Sequence, residues 1–257
     1  MPSGKVYIIG AGCGTADYLT LRAYKLLQQA EVLVYDALVD PAIIALRAAT
    51  CETCFVGKRG GQPSIKQPEI DRLLVQYCQQ GKQVIRLKTG DPFIFGRTTT
   101  EIQALKAANC QFEVIPGISS VLAAPLLAAI PLTDRVLSRS FTVVSAHAPD
   151  ELDWETLAAV DTLVILMGGR TLPTIIDRLL SHSKSAQTAV AIIQWAGQPQ
   201  QQIWTGILAD IVFQTKGEKL SPCVIVIGEV VRLREFLVPD DATNPTHSHN
   251  PAFDEEI

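Results

Sequence analysis

A chain of 257 residues, 47% of them hydrophobic and 19% charged, can bury a substantial core in one large domain or two small ones. Its formal net charge of -4 leaves no overall basic footprint for nucleic acid, and its longest apolar run, residues 121–132, is broken by Pro125 and Pro131 and too short to span a bilayer. The absence of a signal-type apolar segment at the amino terminus points to the cytoplasm, and six cysteines at positions 13, 51, 54, 78, 110 and 223 read as reduced thiols, because a chain with its own core needs no disulfide framework.

Strand-like and helix-like segments alternate from the start. Residues 6–9 form a β-rich run, residues 21–30 carry Leu21, Tyr24 and Leu27 at helical spacing behind the capping residue Thr20, and residues 32–35 return to strand. The unit repeats as helix 41–49, strand 53–56, helix 69–80 closed by Gly81, strand 84–87, helix 101–108 and strand 112–115. Such alternation implies an α/β fold with a largely parallel sheet. After a helix-like stretch at 120–129, the proline-containing hinge 130–135 opens a second series: strands at 141–145, 163–167, 190–195, 202–205 and 224–227, with a helix at 174–180. The loop 194–202, with Gly197 and Pro199, joins neighbouring strands of what reads as a mixed sheet. The expected division is 1–134, 135–238 and a polar tail at 239–257 that lacks any apolar period and reads as disordered, its His247 and His249 solvated.

Several strand ends carry groups suited to a ligand. Gly10-Ala-Gly-Cys-Gly14 follows a strand and precedes a helix, and Asp36 ends the next strand, which is the setting of a dinucleotide fingerprint. That fingerprint needs a third glycine at position 15, where this chain has Thr15. A tight turn requiring glycine's freedom in φ is the plainer reading, and a nicotinamide oxidoreductase stays as an alternative. Thr89-Gly-Asp91-Pro92 is either an Asx turn or a carboxylate placed to accept hydrogen bonds from hydroxyl or amino groups. Val114-Ile-Pro-Gly-Ile-Ser-Ser120 offers free backbone N–H groups and two hydroxyls at a helix start. Cys51-Glu-Thr-Cys54 has the spacing of a zinc or redox half-site, but no second such pair and no histidine lies near it, so it reads as structural and no metal is expected.

Taken in order, the segments 6–14, 34–39, 56–61, 84–97 and 114–120 resemble the tetrapyrrole methylases that use S-adenosylmethionine, and the resemblance runs from about residue 4 to about residue 236. It implies two α/β domains with an active-site cleft between them, a homodimer, and a tetrapyrrole substrate. The implied reaction is methylation of uroporphyrinogen III at carbons 2 and 7 to give precorrin-2 and S-adenosylhomocysteine, serving siroheme and cobalamin synthesis. Other corrin-ring methylases of this fold, and protein or RNA methylases of the superfamily, are the nearer alternatives. No dehydrogenase or chelatase segment precedes the first strand, which implies a single activity.

Residue by residue, the resemblance places Cys13, Thr89, Gly90, Asp91, Ile94, Ser119, Ser120, Met167 and Ala196 against the cofactor. It makes Asp36 a proton acceptor and Lys58 a donor. Arg22, Arg59 and Arg97, with Lys58, are expected to pair with the eight carboxylates of the substrate. His147 is expected at most to line the cleft. The chain departs from the family pattern at Cys13, usually proline; at Thr89, usually glycine; and at Thr98-Thr-Thr-Glu101, usually Gly-Gly-Glu-Glu.

Overall fold

A computed structural model describes residues 4–57 and 65–238. The first series folds as β1 (Lys5–Gly10), α1 (Leu21–Leu27), β2 (Val32–Tyr35), α2 (Pro41–Ala45), β3 (Glu52–Phe55), α3 (Gln67–Gln79), β4 (Gln83–Lys88), α4 (Thr98–Ala107) and β5 (Gln111–Ile115). The strands form one sheet in the order β3-β2-β4-β1-β5, every pair parallel. The central strands β1, β2 and β4 are covered on both faces, which explains runs that are apolar rather than alternating, while the edge strand β3 stays largely exposed. Ala23, Leu27 and Ile43 from α1 and α2 pack on Ile9, Leu33, Ile85 and Leu87. On the opposite face Ile70 and Leu74 of α3 and Leu105 of α4 meet Val6, Ile8, Val34 and Val84.

Local chemistry sets the helix ends. The Thr20 hydroxyl accepts the Ala23 N–H at 3.2 Å and starts α1, and Asp40 accepts the Ala42 N–H at 2.7 Å ahead of Pro41, which suits the first turn of α2. Gly81, at φ +81°, closes α3. Two helices are shorter than their apolar spacing suggested: α1 stops at Leu27 and α2 at Ala45. α4 begins three residues earlier than expected, at Thr98, whose hydroxyl donates to the Pro92 carbonyl rather than capping the helix. The capping position is Arg97, in the left-handed region at φ 55°.

The second series comprises α5 (Ser120–Leu127), β6 (Phe141–Ser145), α6 (Trp154–Ala159), β7 (Thr162–Leu166), α7 (Leu172–Ser181), β8 (Ala189–Gln194), β9 (Gln202–Ile207), α8 (Ile211–Gln214), β10 (Cys223–Ile227) and α9 (Arg234–Leu237). Its sheet runs β6-β7-β10-β8-β9; β6 and β7 are parallel, and the remaining pairs antiparallel. α6, α7 and α8 bury Leu157, Ile175, Leu179 and Ile211 against Leu163, Ile165, Ile192 and Ile225. On the other face, Val121 and Ala124 of α5 pack on Val164, Ala191, Val224 and Val226. By core membership α5 therefore goes with the second sheet, although the expected division at residue 134 assigned it to the first. The expected tail at 239–257 lies outside the described residues.

Candidate active site

Three loops at the carboxyl edge of the first sheet touch backbone to backbone. Ala11 N–H donates to the Lys88 carbonyl at 2.7 Å, while Gly12 and Gly90 exchange hydrogen bonds of 3.2 and 2.8 Å. A Cβ on Gly10 would lie 2.5 Å from the Gly90 oxygen and 2.6 Å from the Gly117 nitrogen, so this junction closes only with glycine there. Asp91 completes it: one carboxylate oxygen accepts the Phe93 N–H at 2.8 Å and the other the Gly117 N–H at 3.4 Å.

This geometry argues against the alternative of a dinucleotide fingerprint in the first glycine loop. A 3₁₀ turn at Ala16–Tyr18 separates the loop from α1. The N–H groups of Ala11, Gly12 and Thr15 already donate to Lys88, Gly90 and Gly197 carbonyls. A pyrophosphate would find no α-helix amino terminus there, and three of the loop's donors are already engaged.

Between the two sheets lies a cleft of about 490 Å³, a size that suits a nucleotide-sized ligand. Of the residues expected at the cofactor, Cys13, Thr89 and Ile94 line it from the first sheet's loops, Ser120 from α5, and Met167 and Ala196 from the second sheet. Asp36 and Arg97 also line it. Apolar Leu166, Ile193 and Val224 form the second sheet's wall. The Cys13 thiol donates to the Ala196 carbonyl at 3.4 Å, a link that the usual proline at this position would not supply. Burial pushes that thiol's pKa up to about 11, so it stays neutral at pH 7.

The remaining expected residues act elsewhere. Gly90 and Asp91 shape the rim through the contacts above, and the Ser119 hydroxyl caps α5 by accepting the Val121 N–H at 3.3 Å. None of these three is among the cleft-lining side chains. Arg22 is not at the cleft either: it pairs with Glu113 of β5, which also holds Lys5 at 2.8 Å. His147 is exposed and does not line the cleft. Lys58 and Arg59 lie outside the described residues.

Sequence reasoning missed a buried ionic network behind Asp36. Arg86 is 2% exposed; its Nη2 donates to Asp36 Oδ1 at 2.7 Å and its Nε to Glu101 Oε1 at 2.9 Å. Lys88 Nζ donates to the same Glu101 oxygen at 2.9 Å. Burial opposes the charge on Arg86, and Asp36 and Glu101 outweigh it, so its pKa is raised. For Lys88, burial and then the neighbouring Arg86 push the pKa below the ordinary lysine value, against the pull of Glu101. Breaking such a network by removing one member leaves an uncompensated buried charge, which costs about 3–5 kcal/mol. The signal for it was present: Arg86 and Lys88 stand two apart in an otherwise apolar strand, on one face, and a buried cation requires a partner.

Fold and site together define an α/β enzyme that holds its ligand in a crevice walled by two sheets, at the carboxyl ends of parallel strands, as open α/β sheets do. More particularly, the chain belongs to the tetrapyrrole (corrin/porphyrin) methylases, whose family profile matches residues 5–212. It is 55% identical over 234 residues to the uroporphyrinogen-III C-methyltransferase of Synechococcus elongatus, covering 91% of this chain and 96% of that one. It is 44% identical to the siroheme synthase of Azotobacter vinelandii over 91% of its own length and 52% of that protein, so it spans about half of it. The uroporphyrin-III C-methyltransferase of Thermus thermophilus complexed with S-adenosyl homocysteine superposes with a TM-score of 0.78 at 36% identity, over 89% of this chain and 99% of that one.

Proposed function

We propose that this chain transfers methyl groups from S-adenosylmethionine to carbons 2 and 7 of uroporphyrinogen III, giving precorrin-2 for siroheme or cobalamin synthesis. The observation that carries this reading is the 55% identity across 96% of a uroporphyrinogen-III C-methyltransferase. The cleft agrees with it. Apolar Leu166, Ile193 and Val224 suit a flat adenine ring, and the hydroxyls of Thr89 and Ser120 with the backbone at Met167 and Ala196 suit the polar parts of the donor. When bound, the donor supplies an electrophilic methyl on a positively charged sulfur.

The protein's task on this reading is placement and charge. Each transfer breaks a sulfur–methyl bond, leaves its electron pair on sulfur, and forms a carbon–methyl bond with the π electrons of a pyrrole. The methylated ring then carries one positive charge and sheds one proton. Asp36, at the cleft wall with its carboxylate on Arg86, accepts that proton. Arg97, exposed at the cleft rim, pairs with substrate carboxylates, and Arg59 and Lys58 are assigned the same task by resemblance. The working unit is a cytoplasmic homodimer on this reading.

Anaerobic incubation with uroporphyrinogen III and S-adenosylmethionine tests it by mass analysis. The expected product has gained two methyl groups. Recovery of unmodified substrate would overturn the assignment, and thermal stabilisation by NAD but not by S-adenosylhomocysteine would restore the oxidoreductase alternative.

A further inference from the structure

Glu101 sits in the first turn of α4, is 0% exposed and does not line the cleft. One of its oxygens accepts from both Arg86 and Lys88, and the other has no partner among the described residues. An arrangement of this kind adds little to stability over apolar side chains of equal volume. What it fixes is direction. All three nitrogens of the Arg86 guanidinium are engaged: Nε by Glu101, Nη2 by Asp36, and Nη1 by the Leu87 carbonyl at 3.3 Å. A planar fork held at three corners has one orientation.

Charge leads to the same place. Glu101 alone would neutralise Arg86 and weaken its hold on Asp36. Lys88 on the same oxygen offsets the Glu101 charge, so the Arg86 charge remains available to Asp36. Of the four ionised side chains Asp36 is the most exposed, at 29%, and its carboxylate is the one whose proton uptake the proposed chemistry uses.

We propose that Glu101 is a positioning residue: through Arg86 it sets the orientation of the Asp36 carboxylate at the cleft wall, and with it the rate of proton removal from the methylated ring. The inference rests on Asp36 as the proton acceptor of the function proposed above. It concerns a side chain that touches neither substrate nor donor.

A double-mutant cycle tests it, read by single-turnover formation of the doubly methylated product from uroporphyrinogen III, because the second transfer needs a ring that has already shed the first proton. Glu101→Gln keeps the shape and removes the charge. In the otherwise unchanged enzyme it is expected to slow transfer about 10- to 100-fold, the scale of a misplaced catalytic group, with KM for the donor and stabilisation by S-adenosylhomocysteine unchanged. In an Asp36→Asn background the same substitution is expected to slow transfer less than about threefold, because no carboxylate remains to orient. If Glu101→Gln alone does not fold, Glu101→Gln with Lys88→Met removes one charge of each sign and is compared across the same two backgrounds. Equal losses in both backgrounds, or a change in donor KM without a change in rate, would overturn the positioning role. A wild-type enzyme that methylates nothing overturns the functional reading and this inference with it. A wild-type enzyme that methylates while the cycle is additive overturns the inference alone.

Discussion

At Gly10 a single added methyl meets backbone on two sides, the Gly90 oxygen and the Gly117 nitrogen, neither of which a rotamer change can move. Gly10→Ala is therefore expected to destabilise the fold by about 1–3 kcal/mol and to part the loops that form the cleft floor. Thermal denaturation with and without S-adenosylhomocysteine checks both effects; an unchanged melting temperature would show that the junction gives way freely. The same scale shows what could be read from the chain. Asp36 was singled out by the resemblance and by its place at the end of an apolar strand, and it lines the cleft. Arg86 and Lys88 were not singled out, because reading β4 as an apolar run hides two cations whose shared face emerges only when alternate positions are separated. Arg22 was misplaced for a different reason: a surface arginine has many possible partners, and Glu113, the one it pairs with, is 91 residues away.

The pairing of Glu113 ties three elements together, since Lys5 begins β1, Arg22 lies on α1 and Glu113 is in β5. Hydrogen bonds from Lys5 and then Arg22 hold the Glu113 carboxyl below its ordinary value of 4.5. A depressed acid contributes stability that is present above the unfolded value and is lost as pH falls through the folded one. Glu113→Gln is thus expected to destabilise by at most about 1 kcal/mol at pH 7, with the gap to wild type closing below about pH 4.5 in urea melts at low salt. A gap that persists in acid would assign the loss to packing. Elements of this length were the best-read part of the chain. Every strand but β9 falls within a residue of its expected bounds, and β9 runs two residues further than expected. The short helices α6, α8 and α9, six residues or fewer, escaped because they are too brief to establish a period, and the Asp153 cap that starts α6 is their clearest mark.

For the molecule as a whole, a ligand seated between the sheets and bound only by the folded chain raises its stability by mass action. S-adenosylhomocysteine at a hundredfold excess over its Kd is expected to add about 2.7 kcal/mol, read as a rise in melting temperature. Asp91→Ala is expected to abolish that rise, because the substitution frees the Phe93 and Gly117 N–H groups that fix the loop; a rise of wild-type size would remove Asp91 from the site. Which helix serves which sheet was the least legible property at this scale. α5 is apolar on every side, so its composition did not say which of two cores would claim it, and only the packing of Val121 and Ala124 on β7 and β10 decides.

The link between Gly14 and Gly197 has a mechanical consequence. Thr15 N–H and the Cys13 thiol each bridge from the first glycine loop to the segment after β8, and Gly14, at φ +98°, has the Gly197 carbonyl where its side chain would be. That flank of the crevice is stitched shut. A methyl group placed there would act as a wedge under a hinge pin, tilting one half of the enzyme against the other instead of disturbing a single bend of chain.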